Sequence, residues 1–201
     1  MDYQLDVDDV TRPWALDYEI DKKYYQDVFY DNIRPGVNND PCRHDQFWHW
    51  SCQEKRELYY FHMMCFEGTD MKNEVNKVSK DLNLQGLETY PRFNYQFPNT
   101  CLGWHIDDQN SGVTINLNLQ DTVPIIWLGK DRIQHKYPFE ALFVNVEKIW
   151  HTVKPDPNHR LILKIMVQES WDVVFNRLNE AGLLIPVQPT ESLPFVDESD
   201  K

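Results

Sequence analysis

Three residues in this 201-residue chain have the types that could share one divalent cation: His105, Asp107 and His151. His105 and Asp107 sit two apart in "GWHIDDQNSGVTINLNL", residues 103–119, immediately ahead of an alternating run. In an extended segment, residues i and i+2 project to the same side, so an imidazole nitrogen and a carboxylate oxygen at that spacing can converge on one point. By itself the H-x-D pair reads equally well as a polar turn before a strand. A metal site needs a third ligand, and "FVNVEKIWHTVKPDPNHRLILKIMV", residues 143–167, offers His151 just beyond one strand-like run and Arg160 at the start of another. Two imidazoles and one carboxylate on adjacent strands bind Fe(II) from one face and leave three positions open to other ligands. Zinc competes for such a set, but structural zinc sites are closed and richer in cysteine. Each residue also has a plainer reading. His151 could be a surface histidine, Arg160 a partner for any carboxylate, and Tyr95 half-buried core with a satisfied hydroxyl. His159 is a rival third ligand, although in a strand it points opposite to Arg160. Lys164 shares the face of Arg160 and is the alternative cation.

The elements that must position these residues lie between about Glu88 and Gln168. "TINLNL" sets Thr114, Asn116 and Asn118 on one face and Ile115, Leu117 and Leu119 on the other. "VPIIWLG", "FEALFVNV" and "RLILKIMV" are further strand-like runs, bounded by the turn signals "GKDR", "HKYP" and "PDPN". The pattern predicts a mainly β antiparallel barrel or sandwich. Flanking it, "KNEVNKVSKDLNLQG" (72–86) carries Val75, Val78 and Leu82 at helical spacing and predicts a helix ending near Gly86. "SWDVVFNRLNEAG" (170–182) predicts a second helix, with Trp171, Val174, Phe175 and Leu178 inward. Residues 186–201 are proline-broken and acidic and are expected to form a flexible tail. The first 69 residues are aromatic and polar, with no clear periodicity. Their His44, His49 and His62 fit no common ligand spacing and are expected to pack against the barrel.

Composition narrows the function classes. Hydrophobic residues make up 41% and aromatics 13% of the chain, which suits a folded domain rather than disorder. The formal net charge is −12, and no Lys/Arg run exceeds two residues, which disfavours a nucleic-acid partner. The N-terminus lacks a basic-then-apolar layout, and no apolar run reaches bilayer length, so a soluble, cytoplasmic protein is expected. Cys42, Cys52, Cys65 and Cys101 form no C-x-x-C pair and are expected to be reduced and mostly buried.

Taken in order, Tyr95, His105-x-Asp107, His151 and Arg160 resemble the Fe(II)/2-oxoglutarate-dependent oxygenases of the double-stranded β-helix fold, in the prolyl-hydroxylase-like branch. The resemblance covers residues 88–168, about two fifths of the chain. In that branch a tyrosine precedes the first histidine by about ten residues, and a cationic residue follows the distal histidine by about ten. It implies a jelly-roll barrel with flanking helices: one oxygenase domain over 1–185, made of an N-terminal extension (1–87), the core (88–168) and a C-terminal helix (169–185). It implies that His105, Asp107 and His151 hold the iron. Arg160, or Lys164 in its stead, would pair with the far carboxylate of 2-oxoglutarate, Tyr95 would add a hydrogen bond, and Thr114 and Asn118 would be auxiliary contacts. The implied reaction couples oxidative decarboxylation of 2-oxoglutarate by O2 to C–H hydroxylation of a small-molecule or protein side-chain substrate, of amino-acid or peptidyl type by family analogy. An aspartate at position 107, rather than a small residue, favours hydroxylation over halogenation. Two departures from the family bear on substrate class: the paired glycines that many relatives carry before the distal histidine are missing, and Ile162 stands where some branches place serine. A non-catalytic cupin-like module binding a metal or small acid stays open, as does a zinc hydrolase.

Overall fold

The computed structural model describes residues 13–32, 47–48, 60–64, 70–96, 98–99, 102–107, 112–120, 124–129, 132–137 and 140–195. Two antiparallel sheets face each other. The larger contains β1 (Trp14–Leu16), β2 (Phe47–Trp48), β3 (Tyr60–Met64), β4 (Thr89–Gln96), β6 (Val113–Asn118), β9 (Ala141–Val144), β11 (Arg160–Val167) and β12 (Leu184–Pro186). Their order is β12-β1-β9-β6-β11-β4-β3-β2. The smaller contains β5 (Leu102–His105), β7 (Ile125–Leu128), β8 (Ile133–Tyr137), β10 (His151–Val153) and β13 (Glu191–Pro194), in the order β13-β8-β7-β10-β5. From β4 to β11 the chain passes repeatedly between the sheets, which makes this a double-stranded β-helix, or jelly roll.

Strand parity decides what each face carries. β11 lies between β4 and β6, with Leu163 opposite Phe93 and Leu117, and Lys164 opposite Arg92 and Asn116. Leu161, Leu163, Ile165 and Val167 turn outward with Phe93, Ile115 and Leu117 to form the main apolar core. Three helices cover that face: α1 (Lys22–Asn32), α2 (Asp70–Asp81) and α3 (Trp171–Glu180). They contribute Tyr25 and Phe29, then Val75, Val78 and Leu82, then Trp171, Val174 and Leu178. Fully burying side chains of this size is worth roughly 1.5–3 kcal/mol each. The alternate residues turn inward, where the space between the sheets is shared by a second apolar cluster around Trp127, Leu142 and Val153 and by a polar group that includes Asn94, Asn116 and Lys164.

Local chemistry sets the helix ends. α2 stops at Asp81, five residues before the expected Gly86, because Asn83 takes φ 57 and Leu84 N donates to Ser79 O at 2.9 Å, a left-handed cap that asparagine tolerates. α3 ends at its expected glycine: Gly182 has φ 69, and Leu183 N donates to Leu178 O. α1 has no counterpart in the sequence reading, although Asp21 Oδ1 accepts from Tyr24 N at 2.9 Å in the manner of an N-cap.

The segment expected as a flexible tail, 186–201, contains a paired strand. β13 falls within it and pairs with β8, Glu191 opposite Lys136 and Pro194 opposite Ile133, and Phe195 packs edge-on against Trp104. Prolines 186 and 194 mask these strands in the sequence, yet both lie in strands at sheet edges, where a missing N–H costs no ladder bond. The four cysteines, His44 and His49 lie outside the described residues, as does the side chain of His62. Among the described residues, no helix is long and apolar enough to cross a membrane.

Gly112, which immediately precedes β6, is constrained twice. Its φ is 58, and a Cβ placed there would stand 2.2 Å from the carbonyl oxygen of Val167. Gly112→Ala is therefore expected to destabilise the fold by at least about 1–3 kcal/mol, read as a drop of several degrees in the thermal midpoint. An unchanged midpoint would contradict the close approach of β6 and β11.

Candidate metal centre and its pocket

His105 ends β5, and the chain continues past it in an extended path secured by Asp107 N donating to Val146 O at 3.0 Å. His151 opens β10 directly opposite His105 in register, and their ring centroids are 4.2 Å apart. The structure thus brings His105, Asp107 and His151 together: one ligand atom from each lies within 4.8 Å of the others. Asp107 Oδ1 is 3.2 Å from His105 Nε2 and 3.6 Å from His151 Nε2.

Second contacts prepare these groups as ligands. His151 Nδ1 lies 3.0 Å from the carbonyl of Ile149, which can only accept, so Nδ1 carries the proton and Nε2 presents a lone pair. Trp127, opposite His151 on β7, covers the ring at 5.0 Å. Burial, reinforced by the neighbouring charge of His105, pushes the His151 pKa down to about 3, so the ring is neutral at ordinary pH. Burial opposes ionisation of Asp107. The ammonium of Lys164, the hydrogen bond from His105 and the nearby His151 together overcome it and hold the carboxyl well below the usual range. An ionised oxygen and two imidazoles, without thiolate, form a donor set that fits Fe(II) with one side open.

That side faces a pocket whose polar wall comes from the inward positions of three strands: Asn94 and Gln96 of β4, Asn116 of β6, and Arg160 and Lys164 of β11. Ile125, Val146, Val153 and Ile162 form its apolar wall. Arg160 lies at the start of β11, opposite Gln96, and Lys164 four residues along, about 13 Å in an extended strand. Lys164 Nζ is 2.5 Å from Asp107 Oδ2. Asn94 Oδ1 and Asn116 Oδ1 are buried, and no described residue donates to either. Buried amides in that state call for a polar partner, which a ligand or water in the pocket would supply.

Not every expected site residue reaches this pocket. Tyr95 has the parity of Phe93, so it turns toward the helices, stacking on Phe29 at 5.8 Å and on His159 at 5.1 Å. Tyr95 is absent from the lining of the pocket between the sheets. His159 is held outside the metal centre by the same stack and by the Tyr30 hydroxyl at 3.0 Å. Thr114 and Asn118 are buried on the correct face of β6, yet Asn116 between them reaches the pocket, while Asn118 Oδ1 accepts from Gln120 N at 3.2 Å. Sequence reasoning passed over Asn94, Gln96 and Asn116. Alternation marked Asn116, but the other two could be placed only by knowing which face of β4 looks inward.

No family model and no curated protein matches the sequence. Among solved structures, the chain is similar to a Pseudomonas putida prolyl-4-hydroxylase, with TM-score 0.46 and 16% identity over 56% of this chain and 73% of that one. It is similar to a 2OG-Fe(II) oxygenase family oxidoreductase from Burkholderia pseudomallei, with TM-score 0.44 and 11% identity over 54% and 68% of the two chains. It is also similar to a cupin-2 domain from Rhodospirillum rubrum, with TM-score 0.36 and 10% identity over 72% and 70%.

The buried histidine has a pH signature. Its folded pKa, about 3, lies below the unfolded value near 6.5, so as pH falls the unfolded chain takes up a proton that the folded chain refuses. The metal-free protein is expected to lose roughly 3–5 kcal/mol between about pH 6.5 and pH 3 from this group. Asp107, with its lowered pKa, adds a further loss below about pH 4. Denaturant melts across that range, compared with His151→Gln, check this: a slope that the substitution leaves unchanged would contradict the neutral, buried ring.

Proposed function

We propose that the chain is an Fe(II)- and 2-oxoglutarate-dependent dioxygenase that hydroxylates a C–H bond of an amino-acid or peptidyl-like substrate. The observation that carries this reading is the placement of His105, Asp107 and His151 on one wall of a pocket that also carries Arg160. The two imidazoles and Asp107 Oδ1 would hold the metal from one side. Below it, the guanidinium of Arg160 matches the far carboxylate of a short diacid, a bidentate pairing that arginine makes better than lysine. Lys164 is engaged with Asp107, which supports Arg160 as the partner of the diacid. Asn94 and Asn116 line the same pocket, and they would take the hydrogen-bonding part that Tyr95 is turned away from. The apolar wall excludes water, which strengthens each of these polar contacts. With iron and 2-oxoglutarate bound, dioxygen would supply the oxidising chemistry that converts C–H to C–OH; the protein contributes placement and shielding.

Adding Fe(II) and 2-oxoglutarate without oxygen is expected to give a weak visible charge-transfer absorption, and admitting air is expected to give succinate. The loss of both would reject the oxygenase reading in favour of a binding module. Arg160→Met is expected to weaken 2-oxoglutarate by roughly 2–4 kcal/mol in equilibrium binding, whereas Tyr95→Phe is expected to leave that affinity unchanged.

A further inference from the structure

Asp107 divides its two oxygens between different neighbours. Oδ1 faces the histidines at 3.2 and 3.6 Å, while Oδ2 lies 2.5 Å from Lys164 Nζ. Lys164 is itself 5% exposed and stands in register between Asn116 on β6 and Arg92 on β4, so its stem starts from an interior strand of the large sheet. A buried ammonium is costly unless a carboxylate compensates it, and here that carboxylate is a member of the metal centre. We propose that Lys164 is a positioning residue that keeps Asp107 to a single metal-binding oxygen, so that a metal held by His105, Asp107 and His151 retains three open positions rather than two.

This inference rests on the reading that those three residues hold a divalent metal. A carboxylate with both oxygens free can close on a cation through both. The charge-assisted bond to Lys164 ties up Oδ2 and turns it from the histidines. The third open position matters because a 2-oxo acid takes two of them, and a co-reactant needs the remaining one. A glutamine at position 164 would fall one bond short of Oδ2. The length of lysine is therefore part of its function here.

The test counts open positions directly. The full-length protein is loaded with Mn(II), and the exchangeable coordinated waters are measured by water-proton relaxation. Lys164→Met is expected to lower the relaxivity of the bound metal by about a third relative to wild type, as three positions become two. Adding 2-oxoglutarate, which occupies two positions, is expected to leave about a third of the original wild-type signal but close to none in the variant. Should the methionine variant not fold, Lys164→Gln serves in its place with the same expected result, since it keeps a polar group at the site yet releases Oδ2. Wild-type relaxivity in a folded Lys164 variant would overturn the role given to this lysine while leaving the metal centre standing. If the wild-type protein did not bind Mn(II), the metal centre itself would be overturned.

Discussion

Asp107 brings a carboxylate to a site where burial opposes its charge, and the arrangement around it exists to keep that charge in place. A lone carboxylate at this depth would take up a proton. Two imidazoles on one side and an ammonium on the other prevent this, and each comes from a different strand. His105 closes β5, His151 opens β10, and Lys164 lies in β11, in the opposite sheet. The ion pair therefore crosses the interior from one sheet to the other at the level where a metal would sit. Because neither partner is stably charged there without the other, the spacing of the two sheets and the chemistry of the centre are linked.

Inward polarity carries a cost that the outward face offsets. Between the sheets, Asn94, Asn116, Arg160 and Lys164 occupy positions that an ordinary jelly roll could fill with aliphatic side chains. Packing there is consequently incomplete, and two buried amide oxygens have no donor among the described residues. The complementary residues of the same strands pack almost wholly buried against three helices, with Phe29, Phe93, Leu163 and Leu178 at 0% exposure. One face of each strand thus supplies stability so that the other can be polar, an arrangement available only where the sheet is covered on its outer side. The net charge of −12 does not contradict cations in the interior, since surface acidity bears on solubility and the pocket sets its own local potential.

An antiparallel barrel or sandwich was legible in the alternation of "TINLNL" and in the spacing of the turn signals, because a strand with one polar and one apolar face writes its period into the residues; the double-stranded β-helix was implied only by the family resemblance. The helices α2 and α3 were legible for the corresponding reason, their buried residues recurring at three and four. The edge strand β13 was not, since its order derives from pairing with β8 and the prolines in and before it mimic a tail. The ligand trio was legible as residue types at suggestive spacing; that His151 meets the H-x-D pair depends on the register of β10 against β5, which no local pattern encodes.

By itself, then, the sequence determined which side chains could bind a cation, which strands have two unlike faces and that a cationic residue follows the distal histidine. Only the tertiary structure decided how those faces are used. It turned Tyr95 to the helices and Asn94 to the pocket, one residue apart, because a strand reverses direction at every step and the sheet's position fixes which side is inside. It also separated the two cations of β11, pairing Lys164 with Asp107 and placing Arg160 in the pocket lining. That division follows from distance across the barrel, a quantity set by how the sheets pack and absent from the order of the residues.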